Sequence, residues 1–121
     1  MAGGALQAKV LKTGGAFHTS LMKPEKLIKA LDEALPNMKP PRCSVYFNVN
    51  AQPLPAGSDP KQFVELMKKQ LTSPVLWTPS VSAMMKDGVK QFYECGPMKQ
   101  IKAMMKRIDQ GAWKETTNVE V

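Results

Sequence analysis

The order of strand-like and helix-like segments constrains the fold of this chain more than any other sequence feature. Apolar residues recur at helical spacing from Lys23 to Leu35, and again after Asp59, Thr78 and Gly96. Between these helical patterns lie short runs of β-forming residues, at residues 8–11, 42–49, 89–95 and 118–121. Strands that alternate with helices predict an α/β fold, with a partial parallel sheet and flanking helices. The length of 121 residues predicts one domain, over residues 1–121.

Composition narrows the class of protein. Hydrophobic residues make up 43% of the chain and charged residues 22%, which is ordinary for a globular protein. No apolar run approaches the roughly 20 residues of a membrane-spanning helix, and no targeting segment is visible at the start. We therefore expect a soluble protein of the cytoplasm or of an organelle, plastid or mitochondrion, with no membrane partner. Cys43 and Cys95 form neither a disulfide framework nor a zinc pattern, so no metal site is expected.

The net charge of +7 favours an anionic partner, either a phosphate-bearing compound or an acidic protein, although solubility alone also explains it. Binding of nucleic acid is not expected, because aromatic residues are only 7% of the chain and do not alternate with basic ones. Gly96-Pro97 lies between a predicted strand and a predicted helix. Such a junction can present backbone N–H groups to an anion, or it can be no more than a tight connection.

His18 is the only histidine of the chain. It lies on a predicted loop between the strand at residues 8–11 and the helix that begins near Pro24, and Gly14 and Gly15 allow the backbone to turn there. Thr19 or Ser20 could cap that helix. Histidine can accept and return a proton near neutral pH, so this loop could carry a general base. The alternative is a capping or packing histidine on a surface loop.

A general base implies a group to deprotonate, and the chain offers no convincing one. The usual serine of acyl transfer lies in a Gly-x-Ser-x-Gly turn, and no serine of this chain has glycines at that spacing. Cys95 ends a predicted strand, but no pattern places it near His18. The residues alone therefore indicate a base without its nucleophile.

Four motifs recur in a recognisable order. They are residues 15–19 (GAFHT), 45–49 (VYFNV), 70–77 (QLTSPVLW) and 93–97 (YECGP). In this order and spacing the chain resembles, over its whole length, the C-terminal part of malonyl-CoA:acyl carrier protein transacylase. The acyltransferase domains of polyketide and fatty acid synthases have a similar histidine motif. The resemblance implies the C-terminal portion of the acyltransferase, α/β-hydrolase-like fold.

The resemblance also implies a reaction and a site. The reaction is a ping-pong malonyl transfer, from malonyl-CoA to a serine and then to the phosphopantetheine thiol of an acyl carrier protein, with no bound cofactor. His18 matches the general base, and Gln70 matches a residue whose backbone carbonyl orients that histidine. Phe17 and Asn48, within the matching motifs, are candidate substrate-binding residues. The acidic carrier protein and the phosphates of CoA would account for the positive charge.

The sequence departs from the family in several respects. The serine, the arginine that pairs with the malonyl carboxylate and the oxyanion-hole glutamine all precede the matched region, so the missing N-terminal half is an expected partner and the chain alone should be inactive. It should also expose apolar surface that this half would cover. The stretch after Met22 is about two residues shorter than is usual in the family. Unless the loop absorbs this difference, it would rotate the next helix by roughly 200° relative to His18. Met98 replaces a second glycine. Two alternatives remain: an acyltransferase piece of a polyketide or fatty acid synthase, and a non-catalytic basic interaction module.

Overall fold

A computed structural model describes residues 3–4, 8–10 and 12–120 of the chain. Helices and strands alternate along it, and a short 3-10 helix, Leu35–Asn37, extends the first α-helix. The elements in chain order are α1 (Glu25–Ala34), β1 (Val45–Tyr46), β2 (Pro53–Leu54), α2 (Pro60–Gln70), α3 (Trp77–Lys86), β3 (Phe92–Cys95), α4 (Gln100–Ile108), α5 (Gln110–Lys114) and β4 (Thr116–Val119).

The strands form two small sheets. β3 and β4 pair in parallel, with Phe92 opposite Thr116, and α4 and α5 connect them. The predicted α/β class, with a partial parallel sheet and flanking helices, is confirmed. β1 and β2 form an antiparallel hairpin instead, with Val45 opposite Leu54. The chain reverses there because Ala51 adopts a left-handed conformation (φ 54°) and donates its N–H to the Phe47 carbonyl at 3.0 Å.

Two strand predictions and one loop prediction need correction. Residues 8–10 form no regular structure, and Leu11, the last residue of that predicted strand, lies outside the described residues. The strand predicted over residues 42–49 is paired only at Val45–Tyr46, and the residues predicted as a loop after it contain β2. A β-forming composition becomes a strand only where a neighbouring strand satisfies its backbone groups. Val121 of the predicted final strand also lies outside the described residues.

The helix ends follow local capping rules. The Asp59 carboxylate accepts the Lys61 N–H at 2.8 Å and Pro60 takes the first turn, so α2 begins where the sequence predicts. α3 ends at a left-handed Gly88 (φ 93°), whose N–H and that of Val89 bond to the Met85 and Met84 carbonyls. Asp109 caps α5, a helix that the sequence did not predict, by accepting the Ala112 N–H at 2.7 Å. Pro24 lies one position before α1 rather than in its first turn.

Apolar side chains pack α3 against α4 and α5, and α2 against the turn between β1 and β2. Val81, Met105 and Ala112 form one core cluster, which joins α3, α4 and α5. Outside this cluster, Val64 of α2 is fully buried. Phe63 packs edge-on against Phe47, with ring centroids 4.8 Å apart. These contacts fix α2 against the β1–β2 hairpin and thereby fix the position of its C-terminal end.

Candidate active site

His18 is fastened to the C-terminal end of α2 by two hydrogen bonds. Its backbone N–H donates to the Leu71 carbonyl at 2.9 Å. Its ring Nδ1 lies 2.9 Å from the Gln70 carbonyl oxygen, across 52 residues of sequence. A carbonyl oxygen can only accept, so this bond requires the proton on Nδ1. The Nε2 lone pair is then available to take a proton from another group.

The loop around His18 holds an unusual conformation. The φ angle of His18 is 64°, in the left-handed region that non-glycine residues seldom adopt. Thr19 stabilises the turn, because its hydroxyl donates to the Ala16 carbonyl at 2.7 Å and accepts the Leu21 N–H at 3.3 Å. Thr19 therefore shapes the loop and does not cap α1, which has no side-chain cap. Strained backbone of this kind occurs often at functional sites.

A cleft of about 180 Å³ opens beside the imidazole of His18, which is half-buried. Its other lining residues are Leu27, Met67, Gln70 and Leu71. From the sequence, helical spacing predicts for Leu27 and Met67 no more than a place on the apolar faces of two helices. A cleft between two helices requires both faces to be partly uncovered, and a periodicity pattern does not report this.

A shared ion pair holds the two helices that border this cleft. The Lys68 amine of α2 lies 2.6 Å from Asp32 of α1 and 2.9 Å from Glu65. The hydrogen bond to Asp32, and to a smaller extent the one to Glu65, raises the pKa of Lys68 above its ordinary value. Lys68 therefore stays protonated and bridges α1 to α2 two residues before Gln70.

Neither candidate substrate-binding residue lines the cleft of His18. The Phe17 side chain is 56% exposed. Its ring lies close over Gly15, where a Cβ atom would come within 3.2 Å of it. Asn48 is half-buried, and its main-chain carbonyl accepts the Leu76 N–H at 2.8 Å. A binding role for either side chain stays a prediction.

Of the two interpretations of the Gly96-Pro97 junction, the structure favours the tight connection over an external anion site, because the chain supplies its own anion to the first turn of α4. Glu94 is only 7% exposed as a residue, and its carboxylate accepts the N–H groups of Ile101 at 2.8 Å and Lys102 at 3.0 Å, in the first turn of α4. Burial would raise the pKa of Glu94, but these backbone bonds, with one from Gln100, hold that pKa below its ordinary value. Glu94 is thus an ionised cap in place of an external ligand.

Neither metal-binding clusters nor membrane-spanning helices emerge from the part of the chain that the structure describes. Within residues 3–4, 8–10 and 12–120, no three side chains of the metal-binding types lie together. In the same ranges, no helix has the length and apolar character that crossing a membrane requires. The arrangement that could take part in a reaction is His18 together with the Gln70 carbonyl that orients it.

The comparisons with known proteins agree on one group. The human mitochondrial malonyl-CoA-acyl carrier protein transacylase is 36% identical over 121 aligned residues, which cover 95% of this chain and 30% of the relative. An acyl-carrier-protein S-malonyltransferase from Burkholderia pseudomallei superposes with a TM-score of 0.80 and 31% identity, over 98% of this chain and 36% of that one. A malonyl-transacylase solved with a type II PKS acyl-carrier protein superposes with a TM-score of 0.72 and 25% identity, over 92% of this chain and 34% of that one. No protein-family model matches the sequence.

The fold is that of one portion of an acyltransferase domain. More narrowly, the chain is homologous over nearly its whole length to a part of the malonyl-CoA-acyl carrier protein transacylases, and this confirms the resemblance drawn from the four motifs. The chain spans about a third of the length of the relatives it matches. A correspondence to their C-terminal part fits these coverages.

Proposed function

We propose that the chain is the base-carrying part of a malonyl-CoA:acyl carrier protein S-malonyltransferase. The observation that carries the proposal is the hydrogen bond between His18 Nδ1 and the Gln70 carbonyl. It fixes the tautomer and the direction of the ring, as the aspartate does in a Ser-His-Asp triad. A main-chain acceptor does this without adding a charge beside the cleft.

In the proposed reaction His18 moves one proton in each half. Nε2 takes the proton of a serine supplied by the rest of the enzyme, while the serine oxygen attacks the malonyl thioester and CoA leaves as a thiol with that proton. In the second half, Nε2 takes the proton of the phosphopantetheine thiol. The thiolate attacks the malonyl ester, and the serine leaves with the proton restored.

The acyl carrier protein is the proposed partner. One structural neighbour was solved with such a carrier, and the chain carries a net charge of +7. Lys12, Lys23 and Lys69 are exposed and lie close in sequence to His18 or Gln70. Positive charge here would attract the phosphates of CoA and an acidic carrier, so transfer should slow as salt is added. A transfer rate unaffected by salt would contradict this part of the proposal.

The proposal can be tested by grafting. The chain replaces the matching third of the Burkholderia pseudomallei enzyme, and malonyl transfer from labelled malonyl-CoA to a carrier protein is measured. The graft should transfer malonate, and the isolated chain should not. His18→Ala in the graft should slow transfer by about 10²–10⁴-fold. Gln70→Ala is the matched control: it should stay within a few-fold of the parent, because the acceptor is main chain.

A folded graft in which His18→Ala transfers malonate at the parent rate would refute the role of His18. A folded graft with no activity would favour a non-catalytic interaction module instead. Because one neighbour binds a polyketide carrier, carriers of fatty acid and of polyketide synthesis should be assayed side by side. The location in the cell, cytoplasm or organelle, stays a prediction; the human relative is named as mitochondrial.

A further inference from the structure

We infer that Pro74 is a positioning residue that keeps the Gln70 carbonyl available to His18. In an α-helix, the carbonyl of one residue accepts the N–H of the residue four positions later. The residue four positions after Gln70 is Pro74, which has no N–H. Residue 74 therefore has no N–H that could bond to the Gln70 oxygen in place of the imidazole.

Pro74 also explains why α2 ends at this point. A proline disfavours helical backbone in the residue before it, here Ser73. α2 ends at Gln70, and Thr72 closes a tighter last turn by donating its N–H to the Lys69 carbonyl at 3.2 Å. Without an extended helix, the carbonyls of Gln70 and Leu71 lack the partners that the next turn would supply.

His18 takes both of these carbonyls. Its N–H bonds to the Leu71 oxygen and its Nδ1 to the Gln70 oxygen, each at 2.9 Å. Beyond Pro74 the chain leaves the site, since the Leu76 N–H bonds to the Asn48 carbonyl at 2.8 Å. If an ordinary residue at position 74 allowed the helix to continue by one turn, its amide hydrogen would bond to the Gln70 oxygen and compete with the imidazole.

The consequence for the imidazole is specific. Loss of the Nδ1 bond would release the ring from a single tautomer, and Nε2 would carry a proton in part of the molecules. The inference rests on the proposed function only for its catalytic meaning. The tautomer itself can be measured in this chain without any enzymatic activity.

The test is 15N NMR of the histidine ring in the 121-residue chain, at a pH where the imidazole is neutral. The parent should show a protonated Nδ1 and an unprotonated Nε2. Pro74→Ala should lose this pattern and show proton exchange between the two nitrogens. Pro55→Ala, which changes an exposed proline in another loop, should keep the parent pattern. A Pro74→Ala chain that keeps the parent pattern would overturn the inference.

A semisynthetic chain separates the missing amide from the proline ring. Lactic acid at position 74 has the alanine side chain but an ester oxygen instead of N–H, so it should restore the parent tautomer. If Pro74→Ala does not fold, this variant decides alone: the parent pattern supports the inference and its loss refutes it. An inactive parental graft beside a tautomer that responds to Pro74→Ala would refute the proposed function while this inference stands.

Discussion

Met105→Ala should destabilise the protein far more than Met104→Ala, although the two residues are neighbours in α4. The Met105 side chain is 1% exposed, whereas that of Met104 is 44% exposed. Met105 belongs to the core cluster with Val81 and Ala112, and Trp77 and Phe92 pack against that cluster. Its truncation therefore removes contacts that join α4 to α3, α5 and β3.

The size of the effect follows from the surroundings of the side chain. Truncation of a buried methionine to alanine costs about 2–5 kcal/mol of unfolding free energy. Met105 already borders a cavity of about 200 Å³ between α3, α4 and β3, so its side chain has fewer contacts to lose than one that is packed on all sides. The flexible Met84, which also lines this cavity, can move into the space that truncation opens. We therefore expect the lower part of that range, about 2–3 kcal/mol. For Met104→Ala we expect under about 1 kcal/mol.

Urea unfolding followed by circular dichroism measures both differences in the free energy of unfolding. For a domain of this size the expected loss for Met105→Ala corresponds to roughly 8–12 °C in melting temperature. Equal losses in the two variants would refute the assignment of the α4 face that packs against the sheet. A loss well under 1 kcal/mol for Met105→Ala would show that the cluster is not a packed core.

Three further predictions concern the ends of helices. Glu94→Gln should reduce the free energy of unfolding near neutral pH. Because the pKa of Glu94 is lowered in the folded protein, the unfolded state binds the proton first as pH falls, and the advantage of the parent over the glutamine variant in unfolding experiments should shrink below about pH 4.3. An advantage that does not change with pH would contradict the ionised cap. Met98→Gly should stabilise the protein by up to about 1 kcal/mol, because Met98 has a left-handed backbone (φ 72°) and is 62% exposed. Met104→Gly within α4 should instead destabilise it by about as much, and calorimetric melting should show opposite shifts in melting temperature for the two variants. Asp59→Ala should cost about 0.5–2 kcal/mol in urea unfolding, and Asp59→Asn, which keeps an acceptor for the Lys61 N–H, should recover most of it.

Met98 stands where the family resemblance leads us to expect a second glycine. The backbone there keeps a conformation suited to glycine, and the side-chain amide of Asn118 holds the loop by donating to the carbonyls of Met98 at 2.7 Å and Gly96 at 3.2 Å. Asn118 lies in β4, so the sheet fixes the loop that follows β3. The motif comparison identified position 98, but only the structure shows its left-handed backbone.

The sequence by itself determined the features that depend on neighbouring residues. Asp59-Pro60 sets the start of α2 and Gly88 sets the end of α3, because caps act through hydrogen bonds within a few residues. Tertiary structure decided the features that need a distant partner. Residues 8–10 have β-forming character without a strand, and Glu94 reaches across a turn to cap α4. The contact between His18 and Gln70 spans 52 residues; it was expected from the family resemblance, since no local pattern specifies which carbonyl a ring nitrogen will meet.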